Sequence, residues 1–159
     1  MKMRLLCVGK VKEKYLRDGI AEYTKRLGAY GQIEIVEVPD EKTPDRASEA
    51  ENEKIKSIES QRILGKIRSD DFVILLDLQG KSQSSEQMAS LLSKWMVEGK
   101  SQFVFVIGGS LGVSEELRRR AQFLLSFSAM TFPHQLMRLI FLEQLYRWHK
   151  IINHEPYHK

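Results

Sequence analysis

Residues 103–112 read Phe-Val-Phe-Val-Ile-Gly-Gly-Ser-Leu-Gly. Five apolar residues run without a polar interruption and stop at a glycine pair. A half-exposed strand alternates apolar and polar residues. An unbroken apolar run this short, bounded by glycine, marks a strand covered on both faces. The same grammar recurs upstream. Residues 72–76 read Phe-Val-Ile-Leu-Leu and stop at Asp77, before a Gln79-Gly80-Lys81 loop. Residues 3–8 read Met-Arg-Leu-Leu-Cys-Val and stop at Gly9. Residues 32–38, Gln-Ile-Glu-Ile-Val-Glu-Val, alternate with acids and stop at Pro39, as a strand nearer an edge does. A last short strand is expected at 122–126.

Helical patterns fill the intervals. Over 11–29, Tyr15, Leu16, Ile20, Tyr23 and Leu27 recur at three- and four-residue spacing. This places Lys10, Lys12, Lys14 and Arg17 on or beside the solvated face of a helix. Residues 48–67 carry a sparse stripe of Ile55, Ile58, Ile63 and Ile67. Ser84-Ser85-Glu86-Gln87 offers N-capping chemistry before a helix ending near Val97. Ser114-Glu115-Glu116 opens a short helix, and Pro133 opens the last, which runs to about Ile152. The order is strand and helix in strict alternation. It predicts an α/β fold, a mostly parallel sheet with helices on both faces. The 159 residues make a single domain spanning 1–159. The Pro-containing loop at 39–47 is an internal connection.

Composition excludes several classes. Hydrophobic residues are 42% and charged residues 29%, as in an ordinary globular domain. No apolar run approaches the ~20 residues of a membrane span. The apolar stretch at the N-terminus is too short for a signal peptide, so the expected location is the cytoplasm. One cysteine, Cys7, excludes an internal disulfide framework. It sits in a buried strand, where a thiol serves as a small hydrophobe. The spacing of His149, His154 and His158 does not set three ligands on one helical face, and no metal is expected. The net charge is +4 and unevenly spread. Residues 1–30 hold eight Lys/Arg against three acids, whereas 40–60 hold seven acids against four bases. The basic N-terminal third and the histidine-rich tail could meet a phosphate backbone, or could be plain solvated surface.

On a sheet of this type, ligands sit at the carboxyl ends of the strands. Three loops follow from that: 76–80, 108–112 and 127–132. Gly108-Gly109-Ser110-Leu111-Gly112 lets backbone approach a ligand, yet lacks the spacing of a dinucleotide fingerprint and the Gly-Lys-Ser/Thr of a P-loop. A tight turn accounts for it equally well. The connector Phe127-Ser128-Ala129-Met130-Thr131-Phe132 holds two phenylalanines and a methionine. A connector this apolar must pack on its own core or wrap a ligand. The last helix is apolar round most of its circumference, from Leu136 to Ile152. It is expected to be buried, with a second copy of the chain as one cover.

Three stretches carry a family resemblance: Phe103 to Ser110, Leu125 to Gln135, and the terminal Tyr157-His158-Lys159. With Val8-Gly9-Lys10 and Glu37-Val38-Pro39, they resemble the SPOUT-class ribosomal RNA large subunit methyltransferase H family from end to end. The resemblance implies transfer of a methyl group from S-adenosylmethionine to N3 of a pseudouridine in 23S ribosomal RNA within the assembled ribosome. It implies a homodimer and a C-terminal trefoil knot, an exception to the usual absence of knots. It places the methyl donor on Leu76, Gly108 and the six residues Phe127, Ser128, Ala129, Met130, Thr131 and Phe132. It brings the tail, Tyr157 and His158, to the active site of the other subunit. Where some members end in arginine this chain ends in Lys159, which keeps the charge but loses the bidentate fork. Methyl transfer to an imide-type N–H needs a proton acceptor or a stabilising cation. The candidates are His134, Arg138, Tyr157 and His158, with the tail pair favoured and Arg138 cast as a positioning or electrostatic residue; a structural role at the first turn of a helix accounts for His134 equally well. A ribosome- or RNA-binding protein without catalysis is the competing reading.

Overall fold

The computed structural model describes all 159 residues. Five strands and five helices alternate: β1 (Lys2–Val8), α1 (Lys14–Leu27), β2 (Gln32–Val38), α2 (Glu49–Leu64), β3 (Phe72–Ser82), α3 (Ser85–Val97), β4 (Gln102–Ile107), α4 (Glu115–Arg120), β5 (Phe123–Ser126) and α5 (His134–Ile152). The strands form one sheet in the order β2-β1-β4-β3-β5, with every pairing parallel.

The unbroken apolar strands bury both faces, as their composition requires. Met3, Leu5 and Cys7 of β1 and Phe103, Phe105 and Ile107 of β4 face one core, shared with α1, α3 and α5. Their neighbours Leu6, Val8, Val104 and Val106 face a second core on the opposite side, shared with α2 and α4. In the first core, Phe141, Leu142, Leu145 and Trp148 of α5 are buried against the sheet, and Phe141 packs on Phe105 with ring centroids 4.8 Å apart. Each such side chain contributes roughly 1.5–3 kcal/mol by leaving water. α5 also packs against both α1 and α3. The charged helix α2 buries Ile55 and Ile63 and opens with a capping box between Ser48 and Glu51. Ser84 and Gln87 form the same device on α3.

Four boundary differences from the sequence reading have identifiable causes, three local and one tertiary. α1 starts at Lys14, because the guanidinium of Arg17 donates to the carbonyls of Val11 and Lys12 and holds that segment as a turn. Lys10 and Lys12 therefore precede the helix and do not lie on its face. α2 stops at Leu64, where Gly65 caps it. Pro133 is the N-cap of α5, whose first helical residue is His134. β3 does not end at Leu76. Leu76 and Lys81 both register with Leu125, so residues 77–80 bulge out before pairing with β5 resumes. Gly80 crosses β5 so closely that a Cβ there would sit 2.6 Å from the Leu124 carbonyl carbon.

Candidate active site

The carboxyl ends of β3, β4 and β5 open into one cleft of about 690 Å³. This lies within the ~300–1,000 Å³ range of small-molecule sites. Its walls are Leu76 to Gln79 at the bulge of β3, Ile107 to Val113 at and after the end of β4, and Leu125 with the loop after β5. The three strand-end loops singled out in the sequence thus meet in space. Of the residues expected to hold a methyl donor, Leu76, Gly108, Phe127, Ser128, Met130, Thr131 and Phe132 line the cleft. Ala129 does not; it is the one member of its loop outside the wall.

Each wall has a local cause. Gly108 has no room for a side chain, since a Cβ would lie 2.6 Å from Cγ1 of Val113. The bare backbone is what lets the loop turn back and leaves the cleft open. Gly112 adopts φ +93° and closes that turn, with its N–H donating to the Gly109 carbonyl at 3.0 Å. Two adjacent buried residues of α2 support the loop from below. Ser60 Oγ accepts the Ser114 N–H at 2.9 Å, and the Glu59 carboxylate lies against Gly109 while accepting the Glu41 N–H at 3.0 Å. In the third loop, Ser126 Oγ donates to the Ser128 carbonyl, and Ser128 Oγ accepts the Met130 N–H at 3.0 Å. These local bonds project Met130 outward, 73% exposed at the rim, while Phe127 turns in towards Phe141 and Trp148. The connector is therefore neither wholly packed nor wholly free: one aromatic anchors it, and its tip stays available.

Asp77 and Arg118 were not among the expected site residues. Asp77 Oδ2 accepts from Arg118 Nε at 2.5 Å, and both line the cleft. The ion pair keeps Asp77 from serving as a free carboxylate. The sequence offered an acid at a strand end, Asp77, but no local signal for its partner Arg118, 41 residues on, which tertiary packing brings to it.

The four expected catalytic residues separate. His134 is in the cleft wall, at the first turn of α5. Burial lowers its imidazole below the ordinary histidine value, the Arg138 charge adds to that, and Asp40 opposes it. Its neutral form is therefore favoured. Arg138, one turn on, is 1% exposed and lies outside the cleft. It pairs with Glu37 at 2.6 Å and donates to the carbonyls of Val8 and Gly9. Its charge braces α5 against the ends of β1 and β2, one helical turn from His134.

The tail folds back along its own α5. The Tyr157 hydroxyl donates to Glu143 at 3.1 Å, and its ring meets Tyr146 edge-on at 5.0 Å. Burial, then a bond to Tyr23 and the Glu143 charge, raises the phenol well above its ordinary value. In this arrangement its hydroxyl is a hydrogen-bond donor, and the neutral phenol is favoured. His158 bridges Arg147 Nη1 at 3.1 Å and Glu86 Oε1 at 2.6 Å. That contact lowers the Glu86 carboxyl. Neither tail residue lines the cleft of its own chain.

The family model described as "Predicted SPOUT methyltransferase" matches residues 1–158. The chain belongs to the SPOUT methyltransferase family. Among SPOUT relatives, the Ribosomal RNA large subunit methyltransferase H of Streptococcus mutans is 55% identical over 159 residues, covering 100% of both chains. That of Carboxydothermus hydrogenoformans is 54% identical over the same span, again 100% of both. A solved structure of a probable methylase family protein from Haemophilus influenzae shares the fold. Its TM-score is 0.51 at 14% identity, covering 99% of this chain and 70% of that one. A SPOUT fold accounts for the parallel sheet and for a cleft built from strand-end loops. No helix of the chain is long and apolar enough to cross a membrane.

Proposed function

We propose that this SPOUT methyltransferase uses S-adenosylmethionine to methylate N3 of a pseudouridine in large-subunit ribosomal RNA, acting on assembled ribosomes in the cytoplasm. The observation that carries the reading is the convergence of Leu76, Gly108 and the 127–132 loop on one cleft. The bare Gly108 backbone and the apolar Leu76, Phe127 and Phe132 suit an adenosine, and the exposed Met130 suits a closing contact. When bound, the donor supplies an electrophilic methyl group on a sulfonium; the carbon–sulfur bond breaks as the bond to N3 forms.

The protein must hold N3 in line with that bond and accept its proton. Neutral His134 stands at the cleft for one of these tasks. The tail supplies the other candidates. On this reading the chain acts as a homodimer, and Tyr157 and His158 complete the cleft of the partner. The partly exposed Leu136, Leu139, Ile140, Ile151 and Ile152 of α5 support a second copy as cover. The trefoil threading of the C-terminal segment belongs to the same proposal. Lys10, Lys12 and Lys159 are exposed cations suited to RNA phosphates.

The test is transfer of a labelled methyl group from S-adenosylmethionine to ribosomes lacking the modification, with free ribosomal RNA alongside. Label mapped to one pseudouridine of assembled ribosomes supports the proposal. No label on either substrate from a folded protein supports the non-catalytic RNA-binding reading instead. Within the assay, His158→Ala is expected to cut turnover far more than donor affinity. Lost donor affinity with unchanged turnover per bound donor would show that the tail histidine has no catalytic role.

A further inference from the structure

A second cavity, of about 730 Å³, lies beside α1 and the ends of β1 and β2. Lys10, Arg17 and Lys25 stand around it, Ile20 and Ile35 form apolar lining, and buried Arg138 contributes to the wall. Four cations thus face one carboxylate, Glu37. Lys10 and Lys25 are exposed and form no ion pair. Pairing is available on the same helix: Lys14 binds Asp18, and Arg26 binds Glu22. Arg17 donates from Nη1 alone to two backbone carbonyls and forms no ion pair. Arg138 answers Glu37 and two carbonyls, yet its buried Nε has no partner. An unneutralised, partly apolar cavity of this kind fits an anion attached to a flat apolar group.

Its position identifies the occupant. His134 and Met137 line the donor cleft, and Arg138 lines this cavity. One turn of α5, about 5.4 Å of rise, is their common wall. Whatever sits in the cavity is a near neighbour of whatever reacts in the cleft. We propose that the cavity is a second subsite, which takes the phosphodiester of a nucleotide flanking the methylated base in a single-stranded stretch of RNA. The cations hold the phosphate, and Ile20 and Ile35 support the sugar or base. This rests on the methyl-transfer reading for the identity of the neighbour. An acidic peptide would satisfy the charges, but would not be continuous with a nucleotide in the cleft.

The experiment is co-sedimentation with ribosomes lacking the modification, at several salt concentrations, for the unaltered protein, a Lys10→Ala/Lys25→Ala variant and a Lys54→Ala control. All three lysines are exposed, so the fold is kept. The double variant is expected to bind about tenfold more weakly, and its plot of log affinity against log salt to be shallower by about 0.7 for each phosphate it no longer neutralises. The control is expected to match the unaltered protein, and a short ribo-oligonucleotide to compete better than polyglutamate. Equal affinity and slope for the double variant and the unaltered protein would overturn the subsite, as would polyglutamate competing as well as RNA. A separate calorimetric titration with S-adenosylmethionine keeps the two readings apart. Failure of the unaltered protein to bind the donor overturns methyl transfer, while the ribosome data still judge the subsite.

Discussion

Arg138 carries its charge at 1% exposure, held by Glu37 and the carbonyls of Val8 and Gly9. Removing it strands two buried carbonyls and frees α5 from the sheet edge. Arg138→Ala is expected to lower unfolding free energy by about 1–3 kcal/mol, read from urea denaturation. His149 is the other buried polar group of α5, 2% exposed and stacked on Tyr30 with ring centroids 5.1 Å apart. Burial, with a smaller contribution from the N-terminal ammonium, holds its imidazole down at about 4, against 6.5 when unperturbed. The folded state keeps it neutral where the unfolded chain protonates it. Stability is therefore unaffected above pH 6.5 and falls as pH drops from 6.5 towards 4, by roughly 3 kcal/mol in all. His149→Phe should flatten that part of the stability–pH curve while leaving other acid-sensitive groups to act. The burial of Cys7 was legible, because it stands inside an apolar run; burial pushes its thiol up to about 12. The burial of Arg138 and His149 was not, since helical periodicity assigns charged types to the solvent side and cannot see an acceptor on another strand.

At the scale of elements, the turns carry as much information as the strands. The glycine loop after β4 keeps the cleft open only while Gly108 lacks a side chain. Gly108→Ala forces either Val113 or the loop to shift, and is expected to weaken S-adenosylmethionine binding by tenfold or more, roughly 1.4 kcal/mol, in calorimetric titration. A comparable loss of thermal stability without a change in donor affinity would show that the loop has only a structural role. β1, β3 and β4 were legible because a strand covered on both faces carries a near-continuous apolar run. The continuation of β3 through residues 77–82 was not. Asp77, Gln79 and Gly80 are turn-forming residues, and only pairing with β5 restores strand geometry beyond them. The start of α1 was missed for a similar reason, because the carbonyls of residues 11 and 12 are taken by Arg17. The meeting of the three loops at one cleft was legible from topology alone, since parallel strands place their carboxyl-end loops at one edge. The place of the tail was not. It depends on Glu143 and Arg147 of the helix it folds back along and on Glu86, 72 residues before His158, and no local pattern encodes these contacts.

The whole molecule is one sheet between two cores, and its central strand comes late. β4 lies between β1 and β3, and both are made before it. A ribosome synthesising this chain releases β1, β2 and β3 with no partner strand between β1 and β3. Until residue 107 is free of the exit tunnel, two of the most apolar strands have bare edges that only β4 satisfies. A fragment ending at Lys100 is therefore expected to show no cooperative unfolding transition and to bind a hydrophobic dye, whereas the full chain unfolds in one step. The nascent chain has a long interval of vulnerability built into its strand order. Chaperone demand during synthesis should fall sharply once β4 emerges, and slow codons placed ahead of β4 should raise aggregation more than the same codons placed after it.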